Sequence, residues 1–269
     1  MNRRVRAILR KEWEEVFKNG LVLFTMLFTP LVFVLISLST VAGTGLATKG
    51  APPMNESEAA ELRKLAGEQC AGLDGAACLD LYLGTLMLLL FMMLPLILPT
   101  VFASYSVVGE KTGRTLEPLL ATPIRTTELL LAKVLAAVLP AVLVTWGGVG
   151  MYLVGLALLG EGATARALLS PAWLAALGLL APLLALGGVE AAVIISSRVN
   201  DPRTAQQLSG VVVIPLALIL VGQSMGLLIV DSTLVGVAIA VVALLDLVLT
   251  WVAVALFDRE NVLTRWKGG

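Results

Sequence analysis

Six long apolar runs separated by short polar stretches dominate the 269-residue chain. About 18 or more consecutive apolar residues, wound as a helix, are enough to cross a bilayer core of roughly 30 Å. The runs cover 21–41, 81–103, 129–159, 172–195, 208–230 and 234–257, which predicts an all-α membrane protein with six transmembrane helices. The third run is long for one crossing, so its first turns, with Lys133, are expected to project from the bilayer or tilt. Five of the six runs contain proline, at Pro30, Pro95 and Pro99, Pro140, Pro182 and Pro215. Each proline frees a backbone carbonyl that must find another partner within the bundle.

Ahead of the first run, Val5, Ile8, Leu9, Val16 and Phe17 fall near one helical face, and Arg3, Arg4, Arg6, Arg10, Lys11, Glu14 and Glu15 supply the other. That pattern predicts an amphipathic interfacial helix over 1–19, with Trp13 near headgroup level and Asn19-Gly20 turning the chain into the membrane. The first run is longer than the roughly 7–15 residues of a signal-peptide core, and it is read as retained. Residues 42–80 form the largest polar interruption, with a short helix expected to begin near Asn55 or Ser57.

Composition agrees with the pattern: 58% of residues are hydrophobic, 14% are charged, and mean hydropathy is +0.93. Net charge is zero, but its distribution is uneven. Fifteen Lys and Arg fall in the segments on one side of the predicted spans and four on the other. Basic residues accumulate on the cytoplasmic side, so both termini and the loop 104–128 are expected inside and loop 42–80 outside. Cys70 and Cys78 both lie in that outer loop, where a disulfide is the favoured reading and two reduced thiols the alternative. Nothing in the charge pattern suggests a nucleic-acid partner.

The chain contains no histidine. That removes the commonest general base, and with it the Ser-His and Cys-His arrangements and the zincin motif. No catalytic residue and no metal ligand set is assigned. Gly109-Glu-Lys111-Thr112 resembles the end of a phosphate loop only superficially, because Glu110 stands where glycine is required. Gly222-Gln223-Ser224-Met-Gly226 matches a nucleophile elbow, but it falls inside an apolar run with no strand before it. The same residues match Gly-x-x-x-Gly, so close helix packing is expected there, with Gln223 and Ser224 hydrogen-bonding across the contact.

Between runs two and three, Thr115 can cap a short helix in which Leu116, Leu119 and Leu120 form an apolar patch, and Thr122-Pro123 ends it. Glu110, Gly113, Thr115, Leu116, Glu117, Leu119, Leu120, Thr122, Pro123 and the later Lys133 together resemble the cytoplasmic loop of type-2 permeases of ATP-binding-cassette (ABC) transporters. Lys11-Glu12 before the first run and Phe257-Asp258-Arg259-Glu260 after the last are similar to the end-patterns of that family, so the resemblance spans nearly the whole chain. It implies a single transmembrane domain over 1–269: an elbow helix at 1–19, a six-span bundle at 21–257 and a cytoplasmic tail at 258–269. The loop at 104–128 would hold a coupling helix, 115–121, docked on a separate ATP-binding subunit. It also implies two copies of that subunit, which bind ATP and Mg, a second copy of the permease, and a multi-pass location in the plasma (inner) membrane, expected to be prokaryotic. No cofactor is expected in this chain. Only 231–233 remain between the last two runs, too short for the re-entrant helices of sterol-exporting relatives.

Asp246 lies near the centre of the sixth run, where an acidic group costs about 2.5–3.5 kcal/mol on insertion scales. A bond to a Ser, Thr or Tyr of a neighbouring helix and a place in the transport pathway are both open for it. Glu190 is expected nearer the cytoplasmic end of the fourth run, where its side chain could snorkel or cap. Two other functions compete with the exporter: an ATP-independent secondary transporter or cation channel using Asp246 and Glu190, and a non-transporting membrane scaffold.

Overall fold

The computed structural model describes residues 3–18, 20–48, 54–70, 72–112, 126–199 and 201–256, and every regular element among them is helical. Helix α1 (Arg3–Lys18) precedes α2 (Gly20–Thr48), which forms span one. A short helix, α3 (Glu56–Ala66), leads through the 3-10 turn Gly67–Cys70 to α4 (Gly75–Phe91) and α5 (Leu94–Thr112), the two halves of span two. Span three is α6 (Thr126–Leu158). After α7 (Gly162–Ala167), span four is built from α8 (Pro171–Ala175), a π-helical turn Ala176–Leu180 and α9 (Ala181–Arg198). Span five joins α10 (Pro202–Ser209), a 3-10 turn Gly210–Val213 and α11 (Ile214–Ser224). Span six is α12 (Ser232–Leu256). By length and composition, six segments can cross a membrane, from Val22–Gly45 to Ser232–Ala255.

Spans two and four are the most enclosed, and five and six the least. The main core joins Phe91, Leu94 and Leu98 of span two to Tyr152 and Leu156 of span three and Ala181 of span four. Such contacts hold a bundle together by close packing, since lipid tails are as apolar as the side chains. At Gly188 of α9 the backbones nearly touch: a Cβ there would stand 3.0 Å from the Leu96 carbonyl oxygen of α5.

Several boundaries differ from the apolar runs. Span one continues past residue 41 to Thr48, because the Thr40 and Thr44 hydroxyls donate back to helix carbonyls and need no water. The predicted cytoplasmic loop begins later than residue 104, since α5 continues to Thr112 and nothing from 104 to 112 forbids helix. Span two begins at Gly75, where Asp74 Oδ1 accepts from Ala77 N at 2.9 Å, which places Cys78 on a helix rather than in the loop.

The largest shift is in span five, which runs over 202–224 rather than 208–230. Asp201 caps its start by accepting from Thr204 N at 2.8 Å, and Pro202 follows at the first turn. Gly226, at φ 70°, closes its end, with Leu227 N donating to Gly222 O at 2.8 Å. The connection before α12 is therefore 225–231, not 231–233, and it is non-helical. The short helix expected near Asn55 or Ser57 begins at Glu56, where the Glu58 carboxylate accepts from Asn55 N at 3.0 Å.

Candidate functional site

Of the residues expected to couple to a partner, Gly113, Thr115, Leu116, Glu117, Leu119, Leu120, Thr122 and Pro123 lie outside the described residues. Glu110 is on α5, with its backbone helical. What the structure does describe is the frame on either side of that segment. α5 extends about two turns beyond the apolar stretch that ends at Ser104, and α6 resumes at Thr126.

Helix α1 is fastened to the start of α6. Val5 and Ile8 pack with Leu129 and Ala132, and the Lys133 ammonium meets the Glu12 carboxylate at 3.0 Å. Both side chains of that pair are only 4% exposed. Lys133 is thus folded into the protein rather than projecting from it. Glu12 sits one turn after Ile8, on the apolar stripe of α1, and a charge at such a place together with a lysine inside a span was the available sign of the pair. One residue further, Trp13 Nε1 donates to Ala136 O at 3.2 Å. The indole is therefore held by span three.

Glu190 and Asp246 are brought together at the packing of span four against span six. Thr250, one turn beyond Asp246 on α12, donates its hydroxyl to Glu190 Oε1. Both acids are 3% exposed. Glu190 therefore neither snorkels nor caps; it faces a neighbouring helix eight residues before the end of α9. Asp246 lies against the bare backbone at Gly187, where a Cβ would come within 2.7 Å of Oδ1. Thr250 stands on the same helix as Asp246, and its hydroxyl is used on Glu190. Asp246 Oδ2 and Glu190 Oε2 have no hydrogen-bond partner among the described residues.

Residues 222–226 play a different part from the expected helix contact. Gly226 is outside the helix, and it accepts the side chain of Leu65 of α3 against its bare Cα. The Tyr82 hydroxyl donates to Gln223 O at 3.2 Å and lies 3.3 Å from Ser224 O, while Gln69 Nε2 donates to Val230 O at 2.7 Å. The Ser224 hydroxyl is used within its own helix, on Val221 O. The end of span five thus seats α3 through Leu65 and holds the start of span two through Tyr82. Beneath α3, Cys70 and Cys78 are joined with Cα atoms 5.1 Å apart, packed with Leu62, Ala66 and Tyr82.

No three Cys, Asp or Glu side chains gather as a metal site among the described residues. Compared with protein families, residues 3–222 match the family described as ABC-2 type transporter. A search of curated proteins found no match.

Proposed function

Because the chain belongs to the ABC-2 type transporter family, as a membrane subunit with six candidate spans, we propose that it is the permease half of an ABC exporter. Two copies pair with two ATP-binding subunits, which bind ATP and Mg, and the substrate leaves the cell by alternating access. The termini and residues 113–125 face the cytoplasm, α3 faces outside, and the assembly sits in the plasma (inner) membrane.

The observation that carries this reading is the rigid frame around 113–125. A docking helix transmits force only if its ends are held, and a movement at either end must reach the spans. On one side α5 runs without a break from Leu94 to Thr112, and on the other α6 is pinned to α1 by Glu12–Lys133 and Trp13–Ala136. Gly113, Thr115, Leu116, Glu117, Leu119, Leu120, Thr122 and Pro123 would make the contact, with Glu117 and Leu120 central.

The test is co-purification with the ATP-binding subunit, followed by ATPase assays in liposomes. Coupling requires contacts that differ between states, so E117A and L120A should lower transport-substrate-stimulated hydrolysis more than basal hydrolysis. Full assembly and full stimulation in both variants would make the segment an ordinary connector. A chain that moves its substrate without the ATP-binding subunit would instead support the secondary-transporter reading.

A further inference from the structure

Among the described residues span five packs on spans two and four and span six mainly on span four, rather than on each other. Between them lies a cavity of about 320 Å³. That volume is at the lower end of small-molecule sites, which run from about 300 to 1,000 Å³. Its walls follow successive turns of span six, from Val235 through Ala238 and Val242 to Asp246 and Leu249. At 1.5 Å per residue this makes a slot roughly 20 Å long. The facing walls come from spans two, four and five, as at Met92, Leu184 and Leu216. Asp246 is the one ionisable group in the lining, near the inner end, and its Oδ2 lacks a partner among the described residues.

We propose that this slot binds a slender amphiphilic ammonium ion, its apolar body between spans two, four, five and six and its N–H group donating to Asp246 Oδ2. The chemistry excludes the alternatives one by one. An anion would find no Lys or Arg in the lining and would face a carboxylate. A bare Na⁺, Mg²⁺ or Ca²⁺ needs about six oxygen ligands, and one carboxylate amid aliphatic side chains does not supply them. A wholly apolar guest would leave the acceptor at Oδ2 unsatisfied, which costs about 1–3 kcal/mol. An ammonium group satisfies the acceptor and neutralises the charge in one contact, and charge-assisted hydrogen bonds of this kind are about twice as strong as neutral ones. The divergence of spans five and six gives such a molecule a way in from the bilayer, where amphiphiles concentrate.

The proposal deepens the permease reading by naming a substrate class, and its test does not need the ATP-binding subunit. Tritiated 8-phenyloctylammonium, 8-phenyloctanol and 8-phenyloctanoate share one body and differ in the head. Each is titrated against the full chain in nanodiscs, with empty nanodiscs subtracted for partitioning. Saturable binding of one ammonium per chain is expected, at least tenfold tighter than the alcohol or the carboxylate. D246N should weaken the ammonium at least tenfold and leave the alcohol unchanged. A238F, which fills the slot halfway and keeps the carboxylate, should abolish binding of all three, and it decides the matter if D246N does not fold. Equal binding of the three heads, or undiminished ammonium binding by either variant, overturns the site. Loss of binding here leaves coupling through 113–125 intact, and loss of coupling leaves binding intact, so the two failures are distinguishable.

Discussion

The Trp13 indole N–H donates to Ala136 O, the carbonyl that Pro140 leaves without its own helix partner. In an α-helix residue 140 would donate to residue 136, and proline has no N–H to give. Trp146 does the same for span four, donating to Leu177 O at 2.9 Å. Leu177 lies in the π turn Ala176–Leu180, whose spacing of five would make residue 182, also a proline, its donor. Two tryptophans thus restore two acceptors that prolines empty, and each bond ties one helix to another.

The Trp13 bond should matter only while proline is present. W13F is expected to destabilise the purified chain by about 1–3 kcal/mol, the cost of an unmet buried acceptor. P140A supplies a backbone N–H to Ala136 O, so adding W13F to P140A should cost far less. Thermal unfolding of the two single variants and the double variant measures the difference. Equal costs of W13F in both backgrounds would show that the indole contributes packing alone.

Glu12 and Lys133 form a buried ion pair at 3.0 Å, with the half-exposed Lys11 ammonium 3.8 Å from the same Glu12 oxygen, so removing either charge breaks a pair inside the protein. E12Q or K133M is expected to cost about 3–5 kcal/mol, while E12M combined with K133M should recover most of the loss, since an apolar pair needs no desolvation compensation. Size-exclusion stability profiles after heating would show the order. A double variant as unstable as the sum of the singles would contradict it.

The six crossings were legible in the sequence because hydrocarbon thickness imposes a length that no soluble fold needs. The place of span five was not, because hydropathy extends from Leu208 through Val230 while the helix obeys its ends. Asp201-Pro202 and Gly226 carry the decisive signals, and they lie outside or at the margin of the apolar run. Glu190 and Asp246 were both visible as intramembrane acids, but their pairing depends on the register of α9 against α12. That register is set by bare backbone at Gly187 and by Thr250, an ordinary threonine in the sequence. Glu12 was hidden because one helix alone cannot show which stripe residue finds a counter-charge 121 positions away.

Cys70 and Cys78 close a loop under α3, and mass spectrometry of unreduced protein from native membranes should yield a Cys70–Cys78 linked peptide. On a chain-entropy estimate, a ring this small contributes about 2.5 kcal/mol. C70S should therefore loosen α3 and hasten proteolysis near Arg63 while leaving the spans intact. Two free thiols in the native-membrane sample would reject the bridge.

Fifteen basic residues against four set the expected orientation. In a chain lacking both native cysteines, K111C should react with a membrane-impermeant maleimide only after the membrane is opened, and E61C should react in intact cells. The opposite pattern would invert the topology.

The last prediction concerns Thr250, whose hydroxyl is the one hydrogen-bond donor found for the Glu190 carboxyl among the described residues. T250V keeps the shape of the side chain and removes the donor, so the whole carboxyl is left unpartnered between spans four and six. A cost of about 1–3 kcal/mol is expected. E190L removes the acid but leaves a hydroxyl that can turn back to a carbonyl of its own helix, as Thr40 does to Ile36, so its cost should be smaller. Once the acid is gone, T250V has nothing further to strand, and the double variant should be close to E190L alone. Span six is the least enclosed of the six, and this contact is a polar tie from it to span four among the described residues. Unfolding free energies for the four proteins close a double-mutant cycle, and strict additivity would mean that the two side chains do not interact.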